Sequence, residues 1–256
     1  MMGEKVLLDT NVLVDVVNNS KAGSTLIKTL RKNKIEIYTF RKCVYELYSV
    51  LKGTTKDFGK KNNPLKRFLD VEVNDIAQQL FKQDPSVDTL GNTYYWYNLS
   101  EEWAYDSDLK KRYELIQKYL NPSEKEEALK KLETQRKFLL WKSKIKKAMH
   151  EIERIIMENE IKVCEYFQIY SSEWYKRKGF FIEQEFAVNS LLPNEDFEII
   201  MAAFFLEVKA FITKDQKDLL WRGGLSLGLN IPNISFCSPE KIEQAIEDNF
   251  CLRHYK

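Results

Sequence analysis

Two hydrophobic patterns alternate near the amino terminus of the chain. A short apolar run at residues 6–8 is followed by helical spacing of apolar residues from Val12 to about Leu30. A second apolar strand at residues 35–40 precedes another helical pattern, which ends near Gly53. Strands that alternate with helices in this way predict a mostly parallel sheet covered by helices.

The last part of the chain repeats this alternation. The sequence DFEIIMAAFFLEVKA, residues 196–210, has helical spacing, and AFIT and ISFCSP have the composition of short buried strands. The segment PEKIEQAIEDNF predicts a closing helix, because proline is favoured in the first turn of a helix. Neither end of the chain carries enough strands for a sheet of its own, so we expect both ends to form one α/β domain.

The middle of the chain has a different pattern. Residues 123–178 contain neither glycine nor proline and are rich in Glu, Lys, Leu and Ile. Such a run is too long for an ordinary globular helix and predicts a helical hairpin or a long projecting helix. The expected organisation is a discontinuous α/β domain of residues 1–58 and 180–256, interrupted by an all-α insertion at residues 59–179.

Composition narrows the available chemistry. The chain has 256 residues, 44% of them hydrophobic, with a net charge of +2, four cysteines and two histidines. The cysteines lack CxxC spacing and predict reduced thiols in a cytoplasmic protein, and no apolar run is long enough to cross a bilayer. With so few histidines, the plentiful reactive group is the carboxylate.

Acidic residues stand at matching places in the α/β sections. Asp9 ends the first strand, and Glu46 lies in the helix after the second strand. Asp196 starts the helix of the last section, and Asp215 follows the AFIT strand. In an open parallel sheet these positions converge on one edge. Singly, each acid could be a helix cap, a solvated side chain or a turn residue. Together they favour a divalent cation, and oxygen ligands favour Mg²⁺ or Mn²⁺.

The motifs that carry these acids resemble, in order, those of PIN-domain nucleases. They are VLLDTNVLVD, the Glu in CVYELYSVLKG, the EDFEIIMAAFF helix and FITKD. The resemblance covers roughly residues 1–55 and 185–240. It implies a PIN-like parallel-sheet fold and a nuclease that uses one or two Mg²⁺ or Mn²⁺ ions to cut phosphodiester bonds, usually in RNA.

The same resemblance implies a role for particular residues. The catalytic acids and metal ligands would be Asp9, Glu46, Asp196 and Asp215. Beside the first and last acids, Asn11 and Thr213 would orient ligands or bind the water shell. The acid of the last-section helix is ambiguous, because Glu195 and Glu198 lie close to Asp196 and either could take its place.

A basic segment in the middle of the chain suggests a surface for nucleic acid. Residues 134–150, TQRKFLLWKSKIKKAMH, contain no acid, and a nearly neutral chain needs such a local cluster to attract phosphates. The same spacing also fits a buried apolar stripe with lysines on its solvated face. Candidate substrate-binding residues are Lys142, Lys144, Lys146, Lys147 and, in the later run YKRKG, Arg177.

The leading interpretation is a metal-dependent endonuclease acting on single-stranded or structured RNA. The alternatives are a structure-selective DNA nuclease and a non-catalytic RNA-binding or scaffold protein on the same fold. No membrane partner is expected. The helical insertion could set substrate choice, or could contact a protein partner or a second copy of the chain.

Overall fold

The computed structural model describes residues 4–52, 64–68, 111, 114–189, 194–215, 234–251 and 254–255. The chain divides into two compact units. The first, here called the sheet unit, consists of Met1–Tyr48 and Ile152–Lys256. The second, the middle unit, is Ser49–Glu151. No helix in the described residues is long and apolar enough to cross a membrane.

The sheet unit is built on six strands within the described residues, and all neighbouring strands are parallel. The strands are β1 Lys5–Leu8, β2 Glu36–Phe40, β3 Lys162–Cys164, β4 Ala210–Ile212, β5 Ser235–Cys237 and β6 His254–Tyr255. Their order across the sheet is β3-β2-β1-β4-β5-β6. The last three residues of β1 are fully buried, as expected for a strand covered on both faces. The predicted α/β fold with a parallel sheet is confirmed.

The strand order places a switch point at the centre of the sheet. From β1 the chain first extends the sheet through β2 and β3, and later adds β4 on the other side of β1. Register pairs Leu8 with Thr39 on one side and with Ile212 on the other. Ligand sites in open α/β sheets lie outside the carboxyl ends of the strands that flank such a reversal. The residues that follow β1 and β4 therefore border the expected site.

The described helices belong to both units. They are α1 Thr10–Val17, α2 Lys21–Lys32, α3 Arg41–Lys52, α4 Pro122–Glu158, α5 Tyr166–Tyr170, α6 Phe180–Asn189, α7 Asn194–Leu206 and α8 Ile242–Glu247. Short 3₁₀ turns lie at Lys66–Phe68 and Pro239–Lys241, and a π-helical turn lies at Tyr175–Gly179. Helix α4 is one uninterrupted helix of 37 residues, which corresponds to the long-helix form of the sequence prediction.

The single helix expected from Val12 to about Leu30 is two helices in the structure. Helix α1 ends at Val17, and Asn19 adopts a left-handed φ of 52°, a conformation that asparagine tolerates better than most residues. The hydroxyl of Ser20 then caps α2 by accepting a hydrogen bond from the Gly23 N–H at 3.0 Å. The apolar spacing continued across this break and did not reveal it.

The expectation that residues 59–179 are all helical is wrong at β3. This strand pairs in parallel with β2, with Val163 opposite Thr39. The chain accordingly rejoins the sheet unit at Ile152, well before residue 180. An edge strand of three residues is too short for its hydrophobic pattern to be distinguished from the neighbouring helices. In other respects the division into a catalytic domain and an insertion remains a prediction.

Candidate active site

Asp9 lies where the central strand of the sheet ends and α1 begins. Its backbone N–H donates to the Ile212 carbonyl at 3.0 Å, which extends the pairing of β1 with β4 by one residue. Its Oδ1 accepts a hydrogen bond from the Thr10 N–H at 2.7 Å, so the side chain is the N-cap of α1. The residue is only 6% exposed. Asp9 therefore combines the capping role with a position at the switch point.

The second carboxylate oxygen of Asp9 is held by two polar side chains. Oδ2 accepts a hydrogen bond from the Thr213 hydroxyl at 2.6 Å and another from the Asn11 amide at 2.8 Å. The Oδ1 of Asn11 accepts from the backbone N–H of Lys214 at 2.9 Å, which ties α1 to the loop after β4. The structure thus places Asn11 and Thr213 directly against Asp9, and these bonds fix the orientation of its carboxylate.

Asp215 is connected to Asp9 through the hydroxyl of Thr213. The backbone N–H of Asp215 donates to that hydroxyl oxygen at 2.9 Å, while the hydroxyl itself donates to Asp9. A threonine that accepts from the N–H two residues later folds the backbone into a tight turn. Thr213 is fully buried, and Asp215, at the end of the turn, is half-buried. The T-x-D motif therefore sets Asp215 beside the end of β4.

Glu46 approaches the site from α3 and is linked to it by Thr10. The hydroxyl of Thr10 donates a short hydrogen bond to Oε2 of Glu46, while the Thr10 N–H donates to Asp9. Thr10 thus holds two of the candidate acids at once. Thr10 was not among the residues predicted from the sequence, although its position between Asp9 and Asn11 in the DTN motif was a signal for it.

Cys43 lies one turn before Glu46 on α3 and is completely buried. Burial raises the pKa of its thiol well above the usual value, and the negative charges of Asp9 and Glu46 raise it further. Both carboxylates are thus close enough to act on the same thiol. With no metal bound, a thiol in this environment stays protonated at neutral pH.

The fourth predicted acid lies on α7. Asp196 is in the first turn of this helix, and its side chain, like that of Glu195, lies outside the described residues. Glu198, one of its alternatives, forms an ion pair with Lys42 at 3.1 Å and accepts a hydrogen bond from the Tyr166 hydroxyl at 3.2 Å. Neither Lys42 nor Tyr166 was predicted from the sequence, because no motif marks them and tertiary packing alone brings them to Glu198.

The candidate acids were expected to converge on a metal site. Among the described residues, no group of three or more His, Cys, Asp or Glu side chains lies close enough together to hold a metal ion. Asp9, Glu46 and Asp215 are connected through the hydroxyls of Thr10 and Thr213. The chemistry of this donor set nevertheless fits Mg²⁺ or Mn²⁺, because carboxylate and hydroxyl oxygens are what these hard cations prefer.

The predicted substrate-binding cations fall in both units. Lys144 and Lys146 are half-buried on α4 and Lys147 is exposed, whereas the side chain of Lys142 lies outside the described residues. Ile145 on the same helix is fully buried, which agrees with the apolar-stripe interpretation at that position. These lysines belong to the middle unit. Arg177 belongs to the sheet unit and is exposed on the π-helical turn.

Comparison with known families agrees with the fold. The family model of the PIN domain matches residues 5–110. This stretch, less than half of the 256 residues, is similar to the PIN-domain family. Searches of curated proteins and of solved structures give no significant match. PIN domains are generally nucleases that use Mg²⁺ or Mn²⁺ and act on nucleic acids.

The PIN-domain match covers only part of the site. It includes Asp9, Asn11 and Glu46, and it ends before Asp196 and Asp215. The match also runs through residues 59–110, which the sequence analysis assigned to an insertion. Asp215 is placed by the parallel pairing of β1 with β4 and by the hydrogen bonds around Asp9, whereas the side chain of Asp196 lies outside the described residues.

Proposed function

We propose that this chain is a PIN-type, metal-dependent endonuclease that hydrolyses phosphodiester bonds in RNA. The observation that supports it best is the buried carboxylate of Asp9 at the switch point, held by Thr10, Asn11 and Thr213. Burying a carboxylate is costly unless polar groups compensate for lost water. Three donors from two different elements fix this one where a ligand site is expected in a doubly wound sheet.

The proposed ligands are the carboxylates of Asp9, Glu46, Asp196 and Asp215, with Glu195 or Glu198 as substitutes for Asp196. Mg²⁺ or Mn²⁺ bound there would make hydroxide available near neutral pH and neutralise charge that develops on the phosphate. The chain's own part is orientation: Thr10 holds Glu46, while Asn11 and Thr213 hold Asp9. Such partners of metal ligands fix which lone pairs point into the site.

The alternative is a non-catalytic RNA-binding or scaffold protein on the same fold. The ion pair between Lys42 and Glu198 favours it, because a cation there neutralises one of the candidate acids. A structure-selective DNA nuclease would use the same acids and differ only in its substrate.

We propose a cytoplasmic location on the basis of the four free cysteines, since free thiols are typical of reducing compartments.

A cleavage assay separates these functions. Labelled single-stranded RNA, duplex RNA, single-stranded DNA and flap DNA are incubated with Mg²⁺, with Mn²⁺ or with EDTA. The proposal expects RNA to be cut with either metal, and not in EDTA or by Asp9→Asn. Glu160→Gln is the matched control, because Glu160 is 78% exposed and far along the chain from the four acids. Faster cutting of flap DNA would replace RNA as substrate, and RNA binding without cutting would favour the non-catalytic alternative.

A further inference from the structure

The sheet unit carries a basic and aromatic surface between α5 and α6. The π-helical turn Tyr175–Gly179, with sequence YKRKG, continues directly into α6 at Phe180. Its cations are exposed, and the two phenylalanines that follow are 51% and 65% exposed. We refer to this surface as the 176–181 strip, and its residues are Lys176, Arg177, Lys178, Phe180 and Phe181.

The composition of the strip is unusual for a protein surface. The rings of Phe180 and Phe181 are adjacent, with centroids 6.1 Å apart and planes at 75°. Lys176 pairs with Glu173 at 2.7 Å, whereas Arg177 and Lys178 form no ion pair with any described residue. Exposed aromatic rings beside cations are a combination that binds single-stranded nucleic acid, since rings stack on bases and cations contact phosphates.

A series of tyrosine contacts connects the strip to the candidate active site. Tyr166 donates to Glu198, and its ring stacks on Tyr170 with centroids 6.4 Å apart and planes at 15°. Tyr170 in turn meets the edge of Tyr175 at 4.9 Å, and Tyr175 is the first residue of the π-helical turn. The strip is therefore packed onto the element that carries the candidate acid Glu198.

These tyrosines contribute no negative charge to repel a phosphate backbone. Burial raises the pKa of Tyr170 to about 12, with further contributions from the charges of Glu198 and Glu183. The hydrogen bond that Tyr175 donates to Glu183 raises the pKa of Tyr175 to about 12 as well. Both phenols are neutral at physiological pH.

The backbone path of the turn depends on Gly179. A Cβ added at this buried glycine would lie 2.5 Å from a ring atom of Tyr175 and 2.8 Å from a ring atom of Trp174. The Trp174 ring is itself packed against Phe205 of α7, with centroids 5.6 Å apart. The chain thus uses a glycine to bring the turn close against α7, and π-helical turns of this kind are frequent at functional sites.

We propose that the 176–181 strip binds single-stranded RNA and leads it to the carboxylates of the active site. Guidance of RNA to the carboxylates rests on the proposed nuclease function, whereas binding of RNA to the strip requires no cleavage. The phenylalanines stack on unpaired bases, which a duplex keeps inside its own stack, while Arg177 and Lys178 contact the flanking phosphates. The cations complement the phosphates of RNA, and packing against the helix that carries Glu198 favours RNA over a membrane or a protein partner.

Binding measured in EDTA tests the strip separately from catalysis. Fluorescence anisotropy with a labelled single-stranded RNA and a duplex RNA is recorded over a range of salt concentrations. Phe180→Ala/Phe181→Ala should weaken single-stranded binding by about 5-fold or more without changing the salt slope. Arg177→Gln/Lys178→Gln should reduce that slope by about 1.4, because each single-strand phosphate contact contributes about 0.7. Duplex affinity should be insensitive to the loss of the rings.

Matched controls alter exposed residues elsewhere on the same unit. Met157→Ala removes an apolar side chain that is 67% exposed, and Lys28→Gln/Lys32→Gln removes two exposed cations of α2. Both should leave RNA binding unchanged. Circular dichroism and thermal unfolding establish that every variant is folded.

Three results would overturn the strip as an RNA site. The first is unchanged RNA affinity and salt slope in both strip variants. The second is that the strip variants no longer bind vesicles of anionic phospholipid but still bind RNA, which would make the strip a membrane-binding surface. The third is that the wild type sediments as a dimer and the strip variants as monomers that still bind RNA, which would make the strip a dimer interface. Strip-dependent binding by a wild type that cuts nothing would support the strip and reject the nuclease.

Discussion

At the residue scale, each oxygen of the Asp9 carboxylate has a different task. Oδ1 accepts from the first N–H of α1, and Oδ2 accepts from Thr213 and Asn11. Asparagine caps helices as well as aspartate does, so Asp9→Asn keeps the cap with its oxygen facing the Thr10 N–H. Its new NH₂ group then faces the donors of Thr213 and Asn11, and a donor facing a donor leaves a buried group unsatisfied.

For Asp9→Asn we expect a folded protein that no longer cuts RNA and is less stable by about 1–2 kcal/mol. Cleavage assays and urea unfolding measure the two effects. The Glu160→Gln control should change neither. Normal cleavage by Asp9→Asn would contradict a ligand role for Asp9.

Thr10 provides a second test, because it holds Asp9 with its N–H and Glu46 with its hydroxyl. Thr10→Val keeps the shape and removes the bond to Glu46. We expect Mn²⁺ affinity, measured by calorimetry, to fall about 10- to 100-fold, the usual effect of losing a partner of a metal ligand. Thr10→Ser keeps the hydroxyl and should restore affinity. Equal loss in both variants would mean that the hydroxyl does not position Glu46.

The sequence could predict the site residues that belong to motifs. Asp9 directly follows β1, so a correct strand assignment was enough to place it at that edge, whereas Asn11 and Thr213 were implied by the resemblance to PIN-domain nucleases. Lys42 and Tyr166 could not be predicted. They come from α3 and α5, and they meet Glu198 because of how these helices pack on α7.

At the element scale, α1 and α2 approach so closely that α2 requires a glycine, Gly23, where it contacts α1. A Cβ at Gly23 would lie 2.6 Å from the carbonyl carbon and oxygen of Asp15 and 2.7 Å from the Val16 nitrogen. These are backbone atoms and cannot rotate away. Gly23→Ala should therefore destabilise the protein, because an overpacking cost of about 1–3 kcal/mol exceeds a helix-propensity gain of up to about 1 kcal/mol.

Urea unfolding of Gly23→Ala measures this cost. Thr25→Ala, at an exposed position of the same helix, is the control and should change stability by less than about 0.5 kcal/mol. A Gly23→Ala variant as stable as the wild type would show that α2 can shift away from α1 without penalty.

Strand β5 carries a pH-dependent contribution to stability. Burial raises the pKa of the Cys237 thiol to about 12, and the charge of Glu240 adds to the effect. In the unfolded chain a thiol ionises near pH 8.5. Between these values the native state binds the extra proton, so stability is complete below about pH 8.5 and is lost as the pH rises toward 12.

From pH 8 to pH 10, the free energy of unfolding should therefore fall by about 2 kcal/mol more in the wild type than in Cys237→Ala. Urea unfolding at the two pH values measures the difference. Cys251→Ala removes an exposed thiol and should show the same fall as the wild type. An identical fall in all three proteins would mean that the Cys237 thiol ionises in the native state.

The elements that the sequence missed are short or interrupted. Strands β3 and β6 have three and two residues, too few to show a period. The break between α1 and α2 depends on the backbone of Asn19 and not on a change in hydrophobic spacing. By contrast, β1, β2, β4 and β5 were predicted, because buried parallel strands form continuous apolar runs.

At the scale of the whole molecule, the central observation is that both ends of the chain build one sheet. Strands β1 and β2 come from the first part and β4 to β6 from the last, and β1 pairs with β4 across about 200 residues of sequence. This could be inferred because neither end has enough strands alone. The return to the sheet was placed too late, since β3 is hidden between helices.

The middle unit raises the question of which unit supplies affinity for RNA. Lys144, Lys146 and Lys147 lie on α4, and Lys147 is the exposed one. With a net charge of +2, the chain must gain affinity from local clusters of this kind. If all three lysines contact phosphates, changing them to glutamine should lower the single-strand salt slope by about 2 and weaken binding to every sequence alike.

Cleavage at saturating RNA should survive in this triple variant, because the candidate acids belong to the other unit. Anisotropy over a range of salt concentrations and single-turnover cleavage measure the two effects. Lys28→Gln/Lys32→Gln again serves as the control for loss of charge. A slope that falls by only about 0.7 would mean that the exposed Lys147 alone makes contact and that its half-buried neighbours are structural. An unchanged slope would leave RNA binding to the sheet unit and make α4 a candidate surface for a protein partner or a second copy of the chain.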